Sequence, residues 1–124
     1  MPEKARVFVA EDNQNWFAKI NKTLVDFGHS VVAHASNLDE GLTLIEQFGK
    51  LRVQVAVLDG RLREVDPEEE DFIGNYEGLR LAHGIYRIDR RIIRIGMSEV
   101  PLPFVDIDLG KSKLPQLGDI VRRL

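Results

Sequence analysis

The chain contains no cysteine, which excludes disulfides and thiolate chemistry and fits a reducing compartment. It also lacks a long apolar run. Met1-Pro2-Glu3-Lys4-Ala5-Arg6 leads into only a short one, so neither a signal peptide nor a membrane span is expected. Positive charge is not in excess: the formal net charge is −3 and the pI near 5.6, so no global field draws the chain to a nucleic-acid backbone or an anionic membrane. Neither partner is expected, and the default is a soluble cytoplasmic protein. No internal repeat is visible. What is present, 44% hydrophobic and 30% charged residues over 124 positions, suffices for one core and leaves little for a second, so residues 1–124 are expected to form a single domain.

The order of elements is organised around Val53-Gln54-Val55-Ala56-Val57-Leu58-Asp59-Gly60. A short β-branched run without charge suits a strand buried on both faces of a parallel sheet, and it stops at a carboxylate. Before it, Arg6 to Ala10 is a first strand ending at Glu11 and Asp12. Asn13 or Asp12 caps a helix over 14–27 with Phe17, Ile20, Leu24 and Phe27 on one stripe, closed by Gly28. Ser30 to Ala33 is a second strand, and Asn37 caps a second helix through Phe48, closed by Gly49. Residues 61–75 hold Glu64, Asp66, Glu68, Glu69, Glu70 and Asp71, a self-repelling run expected to be an exposed loop. A third helix over Tyr76 to Ile88 carries Leu79, Ala82, Ile85 and Tyr86 on a face. Ile92 to Met97 is a fourth strand, Phe104 to Leu109 a fifth, and Lys113 to Leu124 a closing helix; the cluster Arg87, Arg90, Arg91 and Arg94 is expected to be solvated. Strand-helix alternation with right-handed crossovers gives a parallel sheet covered on both faces.

In such a sheet the residues following each strand converge on one crevice. Here they are Glu11 and Asp12, Asp59, Ser98 and Lys111. Three carboxylates, a hydroxyl and an ammonium suit a hard divalent cation and a phosphoryl group, and oxygen donors of this kind favour Mg2+. Each residue has a plainer reading alone: an acidic pair at a helix start is favoured by the macrodipole, a serine at a strand end is common, and Lys113 competes with Lys111. His29, His34 and His83 lack metal-ligand spacing and are expected at the surface or satisfied in the core.

The five positions in order, with Leu109-Gly110-Lys111 closing the set, resemble the receiver domain of two-component response regulators over essentially the whole chain. The resemblance implies a CheY-like, flavodoxin-like fold: a doubly wound five-stranded parallel sheet of order 2-1-3-4-5 in a three-layer α/β/α arrangement. It implies Asp59 as phosphoacceptor and direct Mg2+ ligand, Asp12 as the other direct carboxylate ligand, Glu11 on metal-bound water, and the Arg61 backbone carbonyl completing the site. Ser98 would hydrogen-bond the acyl phosphate and Lys111 would pair with its oxygens. The partners implied are a histidine kinase or phosphotransfer protein upstream and a protein downstream, in a phosphorelay without turnover chemistry beyond the domain's own phosphotransfer and dephosphorylation. Trp16, four residues after Asp12, is expected near the metal.

The chain also departs from that pattern. Too few residues separate Ser98 from Lys111 to hold both a helix and the fifth strand, and two of them are Pro101 and Pro103, so the receiver's fourth helix is expected to be absent or reduced to a turn. That helix belongs to the usual output face of receivers, so a partner would recognise another surface. The surplus lies earlier, in the acidic stretch. Asp108 stands where the family has an aromatic switch residue, Glu99 where a small residue admits the phosphodonor, Arg63 where a proline is common, and Ser112 replaces the proline after the lysine. The alternative is therefore a pseudo-receiver, the same fold used as a phosphorylation-independent interaction module. A phosphatase is disfavoured because position 61 is arginine, not a second acid.

Overall fold

The computed structural model describes residues 4–60, 76–99 and 101–124. Five parallel strands form one sheet in the order β2-β1-β3-β4-β5, the doubly wound arrangement expected. They are β1 (Arg6–Ala10), β2 (Ser30–Ala35), β3 (Val55–Leu58), β4 (Ile93–Gly96) and β5 (Ile107–Asp108). The helices are α1 (Gln14–Asp26), α2 (Leu38–Ile45), α3 (Phe48–Leu51), α4 (Tyr76–Ile88) and α5 (Leu117–Arg123), with a 3-10 helix over Lys111–Gln116.

Alternation along the strands divides the core in two. Val7, Val9, Val55, Val57 and Ile95 meet Ile20 and Leu24 of α1 and Leu117 and Val121 of α5. Phe8, Ala56 and Leu58 face the other way, against Ile45, Phe48, Leu81, Ile85 and Leu102. Strands buried on both faces, each full side-chain burial stabilising by roughly 1.5–3 kcal/mol, hold the carboxyl edge of the sheet as a rigid platform.

Several local expectations are corrected. The second helix does not run to Phe48: α2 ends at Ile45, and a separate turn, α3, follows after Gln47. Gly49 lies inside α3, and the chain is turned by Arg52 in the left-handed region at φ 55°. The buried face of α4 is rotated: Leu81, Ala82 and Ile85 are buried, while Leu79 is half-buried and Tyr86 exposed, because Leu81 settles over Gly41 of α2. Phe27 is more exposed than a stripe position, with Arg122 over its ring. The fifth strand is only two residues long, since Pro101, Pro103 and Phe104, at φ 61°, do not extend it. The last helix starts at Leu117, because Pro115 cannot donate and the preceding turn winds as 3-10.

Between β4 and β5 no helix occurs among the described residues 97–99 and 101–106, as the spacing required. Arg94, expected among solvated arginines, is instead 9% exposed: Nη1 donates to Ala82 O, Nε pairs with Asp106 Oδ2 at 3.4 Å, and the guanidinium lies over Tyr86. A guanidinium on an interior strand needs such partners to offset its desolvation. The acidic run and Arg63 lie outside the described residues, and among those residues no helix is long and apolar enough to cross a membrane.

Candidate functional site

Because the strands are parallel, Glu11, Asp59, Ser98 and Lys111 emerge at one edge. Backbone hydrogen bonds set each in place: Asp59 N donates to Ala10 O at 2.9 Å, Glu11 N to Ala35 O at 3.0 Å, and Lys111 N to Ser98 O at 3.3 Å. Gly110, at φ 79°, makes the turn that brings Lys111 back over the sheet. The Asn13 side chain accepts from Trp16 N, so Asn13 is the cap of α1 and the Asp12 carboxylate remains available to the site.

Carboxylate oxygens of Glu11, Asp12 and Asp59 lie within 4.8 Å of one another. Lys111 Nζ stands 3.4 Å from Glu11 Oε1 and 3.5 Å from Asp59 Oδ2, and 5.0 Å from the centre of the Trp16 ring. The lysine is thus held between two acids and an aromatic face, and Lys113, its rival in the sequence, is exposed. Trp16 lies beside the cluster, as expected from its position on the first turn of α1.

Glu11 is the strained member. It is 1% exposed; Oε2 accepts from Asn13 N at 3.2 Å, while Oε1 is buried without a hydrogen bond. Burial first, then the charge of the neighbouring Asp59 carboxylate, push its carboxyl up to about 8, against the opposing pull of Asn13 N–H and Lys111. A buried, incompletely satisfied oxygen among three carboxylates is what a bound cation would relieve, and an all-oxygen donor set fits Mg2+. The Arg61 carbonyl, the remaining ligand expected, lies outside the described residues. Ser98 is buried beside the lysine backbone. Glu99 is exposed and stands apart from the carboxylate cluster, and Asp108 packs its side chain over Gly96 instead of supplying an aromatic switch. The described residues hold no cis peptide bond, so the peptide before Ser112 is trans.

Two supports went unforeseen in the sequence. His34 Nε2 lies 3.0 Å from the Glu11 carbonyl, which can only accept, so that nitrogen carries the proton; the ring stacks on Phe17 at 3.7 Å. Gly78, in the first turn of α4, donates to Gly60 O, and a Cβ there would lie 2.3 Å from Asp59 O. A glycine interrupting a helical pattern was the signal available for it. His29 is a satisfied core residue, accepting from Ala5 N at Nδ1 and donating from Nε2 to Gly118 O.

No protein-family model matches the chain, and no curated protein does. Solved structures do. The CheY-like receiver domain protein from Methanospirillum hungatei superposes with a TM-score of 0.72 at 16% identity, covering 96% of this chain and 91% of that one. The CheX-CheY complex with BeF3 and Mg2+ from Borrelia burgdorferi gives 0.61 at 14% identity, over 77% of this chain and 63% of that one. The isolated receiver domain of RcsB from Salmonella enterica, in the presence of phosphomimetic BeF3, gives 0.59 at 22%, over 81% and 65%. The chain therefore spans less than two thirds of the last two. At these identities the likeness establishes the receiver fold.

Proposed function

We propose that this protein is an atypical receiver that accepts a phosphoryl group on Asp59 and signals through a protein partner. The observation that carries the reading is the convergence of Glu11, Asp12 and Asp59 within 4.8 Å, with Lys111 clamped on two of them, at the carboxyl edge of a receiver fold. One Asp59 oxygen attacks phosphorus in line; the O–P bond forms as the bond to a histidine nitrogen of a kinase or phosphotransfer protein breaks, and the imidazole leaves. Catalysis is positioning and electrostatics. Lys111 exchanges its contact with the Asp59 carboxylate for the phosphoryl oxygens, and Ser98, joined to the lysine backbone, donates its hydroxyl to them. Asp12 and Asp59 would hold Mg2+ with Glu11 in its outer sphere, and the ion supplies neutralisation of the approaching charge. The Borrelia complex, crystallised with Mg2+ and with a second protein, supports both the ion and a protein partner. The domain performs its own phosphotransfer and hydrolysis and no other turnover, in a cytoplasmic phosphorelay.

The test is intact mass after incubation with acetyl phosphate and Mg2+, for wild type, Asp59→Asn and an EDTA control. A single metal-dependent phosphate on wild type, absent from the variant, is the expected result. No adduct on folded wild type would leave a pseudo-receiver used for binding alone, the reading that Asp108 in place of the aromatic switch favours.

A further inference from the structure

At the opposite edge of the sheet the chain opens a cleft of about 800 Å3, well within the range of small-molecule sites. Arg6 begins β1, Arg52 and Val53 lead into β3, Ile92 precedes β4, and Ile88 ends α4. Strands rising ~3.3 Å per residue put this cleft on the order of 15 Å from Asp59, so it is a separate place with separate chemistry.

The chain carries a net charge of −3, yet this cleft is lined by Lys4, Arg6, Arg52 and Arg91 against Asp89 alone. Arg91 is matched: its backbone N, Nε and Nη2 donate to the Asp89 carboxylate at 2.9, 3.1 and 3.1 Å. The other three have no acidic partner among the described residues. Arg6 is fixed in place, since Nε donates to Leu51 O at 2.7 Å, which leaves its terminal nitrogens as a fork of donors.

Arg52 is the sharper clue. It closes α3 in the left-handed conformation, φ 55° and ψ 44°, where glycine is the residue without strain. The backbone role there needs no side chain, and the exposed guanidinium, with no ion pair among the described residues, is available to a ligand in the cleft. Beneath these cations lies an apolar floor of Phe48, Val53 and Ile92, with exposed Ile88 at the lip. The cleft caps β1, β3 and β4, which are interior strands, so no open strand edge is offered to an extended acidic peptide.

We propose that this cleft binds a phosphate-bearing ligand of the nucleotide class, its phosphates held by Arg6, Arg52 and Lys4 and its base resting on the isoleucine lip and floor. Guanidinium forks match phosphate oxygens two at a time, and the apolar floor suits a planar ring.

The experiment is calorimetric titration of the full chain in EDTA, which keeps metal from the Asp59 cluster, with ATP, pyrophosphate, adenosine and hexaglutamate as probes. ATP is expected to bind, pyrophosphate more weakly and adenosine not measurably, with affinity falling as salt rises. Arg52→Gly relieves the left-handed strain, so it is expected to raise the unfolding midpoint while weakening ATP by about tenfold or more. The weakened ATP affinity is the readout a merely structural arginine would not move, and the raised midpoint shows that the weakening does not come from lost folding. No binding of ATP or pyrophosphate to folded wild type at low salt, unchanged ATP affinity in Arg52→Gly, or hexaglutamate binding more tightly than ATP would each overturn the proposal. Any of these leaves the phosphoryl-acceptor reading of Asp59 untouched.

Discussion

Gly78 sets the distance between α4 and the loop that carries Asp59, and replacing it by alanine tests that placement. A Cβ at position 78 would stand 2.3 Å from Asp59 O, 2.7 Å from Gly60 Cα and 3.1 Å from Asp59 C. An unforced carbon–oxygen contact is nearer ~3.3 Å, so the helix start must retreat by about 1 Å. The atoms met are backbone, so no rotamer change can yield the space. Overpacking of this kind costs about 1–3 kcal/mol, and a required backbone shift belongs at the upper end. Alanine returns about 1 kcal/mol of helix propensity, leaving Gly78→Ala about 2 kcal/mol less stable than wild type. Gly84→Ala, in the same helix, is the control: its Cβ would meet only Ile45 Cδ1 at 3.3 Å, the end of a side chain that can move. That variant is expected to gain roughly 0.5–1 kcal/mol. Urea denaturation monitored by far-ultraviolet circular dichroism measures both. If the two variants fell within about 0.5 kcal/mol of each other, the close approach of α4 to Asp59 would be wrong. Asp59 phosphorylation should also slow in Gly78→Ala and not in Gly84→Ala.

Glu11→Gln should flatten the pH dependence of stability in EDTA. With its folded carboxyl raised to about 8 from an ordinary 4.5, wild type binds more protons folded than unfolded between those values, so stability falls as pH rises through that window. Denaturation midpoints across that range check it, and a wild-type curve rising with pH would contradict the burial of Glu11. Mg2+ should change Trp16 fluorescence by drawing Lys111 off the ring, 5.0 Å away, and the change should vanish in Asp59→Asn; a metal response equal in both proteins would place the ion elsewhere. Asp106→Ala leaves the buried Arg94 without its carboxylate and should cost about 2–3 kcal/mol, below the 3–5 of a fully buried pair because Asp106 is half exposed. Asp119→Ala, which removes the half-buried partner of the exposed Arg122 and Arg123, should shift the urea midpoint little.

The convergence of the candidate site residues was legible because they sit at chain punctuation. Glu11 and Asp59 each follow a short apolar run, Lys111 follows Leu109-Gly110 after the short β5, and parallel topology carries them to one edge, so spacing sufficed without side-chain detail. Lys111 was separable from Lys113 because Leu109 has to be buried and Gly110 has to turn. What periodicity could not supply was the rotation of α4. Leu79 and Leu81 are both apolar, and the choice between them falls to Gly41 on another helix, a contact that exists only after folding. The end of α3 was hidden for a similar reason: Arg52 takes a backbone conformation that composition assigns to glycine, so Gly49 was the natural but mistaken stop. Arg94 looked like one more solvated arginine because its partner Asp106 lies across a strand-to-strand connection of irregular backbone.

That connection also shows how the fold manages without a helix among the described residues between β4 and β5. In a doubly wound sheet the crossover element must cover the face of β4, or Gly96 and its neighbours are left against water. Here Leu102, 3% exposed, joins the core formed with α2 and α4, and a Cβ at Gly96 would meet Leu102 Cβ and Val105 Cγ2 at 3.3 Å. Two apolar side chains thus take the place of a helix, and they can do so because Gly96 lets the loop lie directly on the strand. The Asp106 carboxylate accepts from Arg94 N at 2.8 Å and pairs with the same residue's guanidinium, which fixes the far end of the loop. Ser98 is at the near end, joined to Lys111. A hydroxyl drawn toward phosphorylated Asp59 would therefore pull on a short loop pinned at Asp106, and strain has little length over which to dissipate. Phe104, 64% exposed and held at φ 61° between those two anchors, is where such a displacement would reach the surface.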